Sequence, residues 1–406
     1  MSQKKSLKTV FVSVLFFLGL FLNAQSTFQI SSPESQGVSS EKLIILNDAM
    51  HSFVDNNDLS AIQTAIVKNG KLIHFDSYGS SDISENTQLE SDDIFRIASM
   101  TKPIVSVALM MLHEEGKFKL DDPVYKYIPE FKNLTVQKRK KIRPVKNHVK
   151  IIDLLRHSAG LNFKGPDDYR KTMNLTLEEY TKEAVKSPLK FEPGTTWWYS
   201  YATDICGYLI EVLSDEKLDD FLKNRIFDPL EMNDTFFELP AKKLDRLTTL
   251  YVVDENKQLV SFDNKSNTPF KDKVILLNGS GGLLSTTEDY LKFSVMLLNN
   301  GIYNDNKLIG KETLDLMKLD HSNGLKYKKL AFGKKKGFGL GFEVVKENDT
   351  KFGSKGTFGW GGMFGTYFRV DPKENMVIIY MTQSFETYKL KLADKFRTLV
   401  YDSIIE

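Results

Sequence analysis

Apolar residues recur at helical spacing through most of the chain. The first such stretch runs from Ser39 to Phe53, with Leu43 and Leu46 on one side. Thr176 and Ser285 each precede a glutamate by three residues, which is the spacing of a capping box at a helix start. Further apolar periodicity predicts helices at 100–115, 149–157, 176–186, 201–213, 216–226, 286–299 and 386–401. The middle of the chain is therefore predicted to be mostly helical.

Short runs rich in β-branched and aromatic residues lie toward both ends of the chain. Residues 61–67 and 72–78 are joined through Asn69-Gly70, which is the strongest short signal for a β-hairpin. Three later runs predict strands at 339–345, 365–370 and 376–382. Strands at both ends with helices between them predict one sheet domain, built from the two termini, with a helical domain inserted.

The first 24 residues have the pattern of an export signal. Three lysines precede an apolar run from Val10 to Leu22, which is short for a membrane span and ends in small residues. We expect cleavage after Ala24, a periplasmic or secreted protein, and no stable membrane anchor after cleavage. The rest of the chain divides into an N-terminal part of the sheet domain at 25–98, a mostly helical insertion at 99–300, and a C-terminal part of the sheet domain at 301–406.

Composition narrows the function classes. The chain has 406 residues, of which 41% are hydrophobic, and this is enough for a large core and more than one domain. A formal net charge of +2 gives no reason to expect a nucleic-acid partner, and the basic runs at 138–150 and 326–336 are typical of solvated faces or loops. The single cysteine, Cys206, cannot form an internal disulfide, and its apolar helical position favours a buried structural thiol.

One Ser-x-x-Lys pattern differs in context from the others. The pattern occurs at Ser2, Ser39, Ser99, Ser187 and Ser214. Only Ser99 follows an apolar extended run and opens an apolar helix. Ser99 and Lys102 share one helical face, so the amine can reach the hydroxyl and act as its base. Pro103 fits only in a first turn, which brings Ser99 to the positive end of the helix dipole. A simple helix cap is the alternative.

Three further stretches could contribute chemistry. Tyr199 lies at a loop-to-helix junction, where a tyrosine can relay protons, although the surrounding residues 193–201 could equally form an aromatic core cluster. Gly361-Gly362 could expose backbone N–H groups that complete an oxyanion hole with that of Ser99, or form a plain bulge or turn. His157 is a candidate general base, but a histidine that ends a buried helix before a glycine is more often structural.

In chain order, these stretches resemble the serine beta-lactamase and penicillin-binding protein superfamily. The segments FRIASMTKP, LLRHSAGL and GGLLSTTEDY are most similar to the class C beta-lactamase-related branch, which includes family VIII carboxylesterases. The resemblance covers nearly all of the mature chain. It implies an α+β fold in which an antiparallel sheet flanked by helices lies beside an all-α domain, with the active site between them. It implies no metal and no cofactor.

The resemblance also implies roles for individual residues. Ser99 would be the acylated nucleophile, Lys102 would accept its proton, and Tyr199 matches the family's tyrosine general base and acid. The backbone N–H groups of Ser99 and Met363 would form the oxyanion hole. The implied reaction is a two-step acyl transfer, in which water releases the acid from an acyl-enzyme.

Two departures from the family pattern concern the substrate. Tyr201 stands where beta-lactamases and DD-peptidases usually have the asparagine of Tyr-x-Asn, so an amide that would bind an acyl-amide side chain is missing. Trp360-Gly361-Gly362 stands where those enzymes have a cation before Thr-Gly, so a partner for a substrate carboxylate is missing. An aromatic, largely uncharged pocket would result. We therefore expect a small-molecule carboxylic ester as substrate, ahead of a beta-lactam or a D-amino-acid peptide; a slow-deacylating sensor is a further alternative.

Overall fold

A computed structural model of the chain describes residues 27–161, 172–327, 335–349, 353–385 and 387–405. The predicted export signal at 1–24 lies outside these residues. In the part of the chain that the structure describes, no helix combines the length and the apolar character needed to cross a membrane.

An antiparallel sheet forms the centre of the structure. Across the described ranges it has eight strands: β1 (Ala61–Lys68), β2 (Lys71–Asp82), β3 (Thr87–Gln88), β4 (Lys336–Phe338), β5 (Glu343–Val345), β6 (Phe358–Gly362), β7 (Thr366–Asp371) and β8 (Met376–Met381). Their order is β4-β5-β6-β7-β8-β1-β2-β3, so β1 near the N-terminus pairs directly with β8 near the C-terminus. The sheet is thus built from both ends of the chain, and the predicted α+β fold is confirmed.

The β1–β2 hairpin forms where the sequence predicts it. Asn69 and Gly70 have φ angles of 53° and 74°, the left-handed backbone that a two-residue hairpin turn of this kind requires, and Lys68 pairs with Lys71 on either side. Strand β6 is not among the predicted strands, because its glycines interrupt the pattern of side chains from which strands are recognised. The strand predicted at 339–345 is shorter than expected, since only its last three residues pair in β5.

The α-helices within the described residues are α1 (Ser40–Asp55), α2 (Thr101–Glu114), α3 (Ile151–Leu155), α4 (Leu177–Ala184), α5 (Ala202–Ser214), α6 (Leu218–Leu222), α7 (Thr287–Leu298), α8 (Lys311–Met317) and α9 (Leu392–Asp402). Short strand pairs outside the sheet join Phe95–Arg96 with Leu284–Ser285, Thr135–Lys138 with Lys141–Pro144, Thr196–Trp197 with Lys326–Tyr327, Leu250–Val253 with Leu259–Asp263, and Ile302–Tyr303 with Asn306–Lys307. Helix α8 and most of these pairs are too short to be recognised from periodicity.

One of the two predicted capping boxes is present and the other is wrong. Thr176 accepts a hydrogen bond from the Glu179 N–H, and the Glu179 carboxylate accepts one from the Thr176 N–H, so α4 starts as predicted. At α7 the cap is Thr286, which accepts a hydrogen bond from the Asp289 N–H at 3.2 Å. Ser285 cannot serve as the cap because it is paired in an extended strand.

Helices cover both faces of the sheet. Helices α1 and α9, from the two ends of the chain, pack their apolar sides on one face, where Met50 and Phe396 are fully buried. On the other face α7 packs the ring of Tyr290 4.9 Å from the ring of Phe368 on β7. Helix α7 therefore lies on the sheet, although its residues fall within the stretch predicted as a helical insertion. Periodicity predicts which side of a helix is buried but not the layer against which it packs.

Helix α2 connects the sheet to the helical part. Its residues from Thr101 to Leu112 are all buried, and it packs against α5. Helix α5 carries Cys206, which is completely buried, and burial raises the pKa of its thiol far above the ordinary range. The prediction of a buried structural thiol is therefore confirmed. The turn at 98–100, which contains Ser99 and leads into α2, lies against β6.

Candidate active site

Ser99 lies in a single 3-10 turn, Ala98–Met100, that leads directly into α2. Ala98 has a φ of 45°, a left-handed conformation that is costly for a residue with a β-carbon and that often occurs at functional sites. The turn is held from two sides, because the Ile97 N–H donates to the Leu283 carbonyl at 3.1 Å and the Ile97 carbonyl accepts from the Thr366 hydroxyl at 3.1 Å. The strained turn leaves the Ser99 side chain partly exposed. The sequence does not indicate this turn, because an alanine at position 98 does not predict a left-handed backbone.

Lys102 reaches Ser99 as its helical spacing predicts. Its Nζ lies 3.2 Å from Ser99 Oγ and donates a second hydrogen bond to the Ser280 carbonyl at 2.6 Å. The Lys102 side chain is only 3% exposed, so its amine sits in a largely water-free environment where hydrogen bonds fix its direction. Ser280 is a contact that sequence reasoning missed, because it is made by a backbone carbonyl 178 residues away along the chain.

Tyr199 is brought to the same place from a distant loop. The Nζ of Lys102 lies 4.6 Å from the centre of the Tyr199 ring. The Tyr199 hydroxyl oxygen accepts a hydrogen bond from the indole N–H of Trp360 at 3.3 Å. Three separate regions of the chain therefore meet at one partly exposed site, to which they contribute Ser99 and Lys102, Tyr199, and Trp360.

His157 supports this loop. Its carbonyl accepts a hydrogen bond from the Trp198 N–H at 2.9 Å, and its ring centre lies 4.8 Å from that of Tyr199. The His157 side chain is completely buried, and burial together with the charge of Lys102 holds its pKa well below the ordinary histidine range. His157 is therefore a neutral histidine that packs behind Tyr199, which favours the structural interpretation over a general base.

The glycines of β6 allow the sheet to approach the nucleophile. A β-carbon at Gly362 would overlap the carbonyl oxygen of Ile97 and the hydroxyl of Thr366, so only glycine fits there. Met363, the second predicted oxyanion residue, follows directly, and its side chain is 59% exposed. The Gly365 N–H donates to the Gly362 carbonyl at 3.2 Å, so the same glycines also form the β6–β7 turn. The stretch thus forms the turn that was one interpretation of its sequence, and the oxyanion hole with Ser99 stays a prediction.

Aromatic side chains form one wall of the site. Trp197 and Phe338 are buried, with ring centres 5.6 Å apart, and Trp360 packs edge-on against Phe338 at 5.2 Å. The aromatic core interpretation thus holds for Trp197, while Tyr199 and Trp360 are only half-buried. Tyr201 is half-buried at the start of α5, where burial and the nearby charge of Asp204 raise the pKa of its hydroxyl and keep it neutral.

This arrangement can support nucleophilic catalysis. The Lys102 amine lies within hydrogen-bonding distance of the Ser99 hydroxyl and can accept its proton. The Tyr199 phenol lies beside that amine and can donate a proton. The partly exposed ring of Trp360, which packs on the buried ring of Phe338, gives the site an aromatic surface that suits a substrate without charge.

Comparison with known proteins identifies a family. A sequence model described as Beta-lactamase matches residues 46–401. Protein Rv1367c of Mycobacterium tuberculosis is 30% identical to the chain, over 80% of this chain and 86% of its own length. Esterase EstB of Burkholderia gladioli is 28% identical over 42% of this chain and 45% of its length. A putative D-alanyl-D-alanine carboxypeptidase of Salmonella enteritidis is 27% identical over 91% of this chain and 89% of its length.

Solved structures share the fold. The structure described as EstCE1, a hydrolase with promiscuous acyltransferase activity, has a TM-score of 0.75 with this chain at 22% sequence identity. The match covers 89% of this chain and 99% of that one. At this level of identity the likeness concerns the fold.

Proposed function

The chain belongs to the beta-lactamase family of hydrolases, and on this premise we propose that it is a serine hydrolase that cleaves carboxylic esters through an acyl-enzyme. The observation that carries the proposal is the 3.2 Å contact between Lys102 Nζ and Ser99 Oγ, with the ring of Tyr199 against the same amine. Esterase EstB among the relatives supports the choice of ester chemistry.

The proposed reaction has two steps. Lys102 takes the proton of the Ser99 hydroxyl while Ser99 Oγ attacks the ester carbonyl carbon, and the backbone N–H groups of Ser99 and Met363 bind the oxyanion that forms. Tyr199 gives a proton to the leaving alcohol, and the C–O bond to that alcohol breaks. Water then attacks the acyl-enzyme, with the same amine and phenol taking its proton, and the carboxylic acid leaves as Ser99 regains its hydrogen.

The character of the pocket supports an uncharged substrate. Trp360 stands where related enzymes have a cation, and its indole N–H is directed to the Tyr199 hydroxyl. A substrate carboxylate would have no cation at this position to pair with, so no ion pair would offset the free-energy cost of its desolvation. Neutral or apolar acyl groups would pack against Trp360, Tyr201 and the backbone of Gly361-Gly362.

A substrate panel tests the proposal. We expect measurable hydrolysis of p-nitrophenyl esters from acetate to decanoate, and turnover of nitrocefin and of D-alanyl-D-alanine peptides at least about tenfold slower in kcat/KM. The variant Ser99→Ala serves as the blank for each substrate. Faster turnover of nitrocefin than of every ester would contradict the esterase proposal and leave a beta-lactamase.

A D-alanyl peptidase is the second candidate function. The similarity to the putative D-alanyl-D-alanine carboxypeptidase of Salmonella enteritidis spans 91% of this chain, which is longer than the match to the esterase. The peptide arm of the panel separates the two candidates. A slow-deacylating sensor would instead show a persistent acyl group on Ser99 by mass spectrometry, without turnover.

The identity of residue 360 is predicted to set substrate selectivity. We expect Trp360→Lys to increase the preference for a carboxylate-bearing ester, such as a hemisuccinate, over its neutral counterpart by at least about tenfold, because a hydrogen bond to a charged group contributes about 1.5–3 kcal/mol. The measurement is the ratio of the two kcat/KM values.

Trp360→Phe is the matched control for this substitution. It keeps an aromatic ring and adds no charge, but it replaces the indole with a smaller ring and removes the N–H that donates a hydrogen bond to the Tyr199 hydroxyl. We expect it to lower the rate on both esters without changing their ratio. An unchanged ratio in Trp360→Lys as well would show that residue 360 does not contact the acyl group.

We also propose that the protein acts outside the cytoplasm. The proposal rests on the lysine-rich start and apolar run of the first 24 residues. N-terminal sequencing of the mature protein is expected to begin at Gln25, and a mature chain that keeps residues 1–24 would contradict it.

A further inference from the structure

A buried carboxylate is linked to the nucleophile by consecutive hydrogen bonds. Asp204 on α5 is completely buried, and its Oδ1 accepts a hydrogen bond from the Ser280 N–H at 2.9 Å. The Ser280 carbonyl accepts the hydrogen bond from Lys102 Nζ at 2.6 Å, and the same Nζ lies 3.2 Å from Ser99 Oγ. Asp204 therefore contacts the catalytic amine only through the backbone of one residue.

The turn that carries Ser280 is closely fitted to the start of α5. A β-carbon at Gly279 would lie 2.8 Å from the Thr203 carbonyl oxygen, so glycine at this position lets the turn lie against the helix. Beyond the turn, the Leu283 N–H donates to the Thr101 hydroxyl at 3.1 Å. The position of the Ser280 carbonyl is therefore set by α5 on one side and by α2 on the other.

The direction of the Lys102 amine depends on that carbonyl. A lysine side chain has four rotatable bonds, and Lys102 Nζ lies closer to the Ser280 carbonyl oxygen, at 2.6 Å, than to Ser99 Oγ, at 3.2 Å. If the Ser280 carbonyl moved, the amine would follow it or lose a buried hydrogen bond. In either case the distance from Nζ to Ser99 Oγ would change.

We propose that Asp204 is a positioning residue for the reaction proposed above: its carboxylate holds the Ser280 backbone, and the Ser280 carbonyl directs the Lys102 amine at Ser99. Asp204 does not contact the substrate in this scheme. Its loss lowers kcat and leaves KM nearly unchanged, because substrate binding is made elsewhere in the site.

The charge state of Asp204 gives the proposal a pH signature. Burial raises the pKa of Asp204 to about 6, although hydrogen bonds from Ser280 and Tyr180 and the charge of Lys102 act in the opposite direction. The titratable groups around it are Lys102 on α2, Tyr180 on α4, Cys206 on α5, and Tyr201 directly before α5. Above this pKa the ionised carboxylate accepts a strong hydrogen bond, and below it the protonated acid accepts a weaker one.

The test compares three variants with the wild-type protein. Asp204→Asn keeps a carbonyl acceptor but cannot ionise, Asp204→Leu removes the acceptor, and Asp289→Asn is the matched control. Asp289 is also buried, accepts a backbone N–H from Asp234, and has a pKa raised by burial, but its ion pair is with Lys292 and not with Lys102. The measurements are kcat and KM for p-nitrophenyl butyrate between pH 5 and pH 9, with circular dichroism to verify folding.

The expected results differ for each variant. Asp204→Leu lowers kcat by about 10²-fold, the effect expected when a catalytic group is misplaced by about 1 Å, with KM within about twofold of the wild type. Asp204→Asn lowers kcat by about fivefold at pH 8, and it lacks the rise in activity through about pH 6 that we expect for the wild type. Asp289→Asn keeps the wild-type pH profile.

Two outcomes overturn the inference. One is a kcat of Asp204→Leu within twofold of the wild type, and the other is a rise through pH 6 that persists in Asp204→Asn. If the wild type hydrolyses no ester, the proposed function fails, and positioning is then read from the rate at which a fluorophosphonate labels Ser99 by mass spectrometry. Equal labelling rates in the wild type and in both folded Asp204 variants would again contradict the role of Asp204.

Discussion

Replacing Ser99 with alanine is expected to lower ester hydrolysis by at least about 10³-fold, to the uncatalysed background. The substitution removes the oxygen that would carry the acyl group and leaves Lys102 Nζ, which lies 3.2 Å from that oxygen, with no hydroxyl to deprotonate. Because Ser99 is partly exposed and contributes little apolar packing, the fold should persist. The measurements are steady-state rates on p-nitrophenyl butyrate and the intact mass after treatment with a fluorophosphonate.

Ser106→Ala is the matched control for this loss. Ser106 lies on α2 as well, is buried, and faces Gly341 rather than the site. We expect Ser106→Ala to keep wild-type turnover and labelling. A Ser99→Ala variant that still hydrolyses esters at more than about a tenth of the wild-type rate, or still takes up the label at another residue, would place the nucleophile elsewhere.

Tyr199→Phe is expected to lower kcat/KM by about 10²-fold. One proton-transfer group typically contributes between about 10²-fold and about 10⁴-fold to the rate. The variant keeps the ring that packs against Lys102 and His157 and loses only the hydroxyl, which accepts the Trp360 N–H. Since Tyr199 is proposed to protonate the leaving alcohol, the loss should be larger for ethyl esters than for p-nitrophenyl esters, whose leaving group needs no proton. The measurement is the ratio of kcat/KM between these two leaving groups.

Tyr208→Phe provides the comparison for the tyrosine. Tyr208 is a half-buried tyrosine on α5, and burial together with the charge of Glu178 raises the pKa of its hydroxyl. We expect it to change neither rate nor leaving-group dependence. Activity of Tyr199→Phe within twofold of the wild type would show that Lys102 performs both proton transfers alone.

The features that the sequence predicts best depend on neighbours in the chain. Asn69-Gly70 specifies its hairpin because the turn depends on the backbone conformations of only these two residues. Ser99 and Lys102 lie in contact because residues three apart share one face of a helix. The capping box at Thr176 is local in the same sense. Ser285 shows the limit of such reasoning. The local pattern predicts it as a helix cap, but it pairs with a strand that is distant in the chain and therefore cannot cap the helix.

The features that the sequence does not reveal depend on contacts between distant segments. Asp204 reaches Lys102 through Ser280, and nothing in the sequence indicates that contact, because Asp204 and Ser280 are 76 positions apart. Tyr199 and Trp360 meet across 161 residues. The left-handed backbone of Ala98 likewise cannot be predicted from the sequence, because alanine normally avoids that conformation and adopts it here under constraint from its neighbours. Resemblance to a family supplies candidate residues in such cases, and geometry supplies their partners.

The pairing of β1 with β8 determines when the protein can fold during its synthesis. Lys68 and Glu374, which are hydrogen bonded at this junction, are 306 residues apart. At about 5–20 residues per second, a ribosome releases β1 on the order of 15–60 s before its partner strand. During that interval one edge of β1 has no partner from β8 and is open to wrong pairings. A chain that ends before residue 358 also lacks β6 and β7, which hold the Ser99 turn, so the proposed hydrolytic activity requires the C-terminal strands.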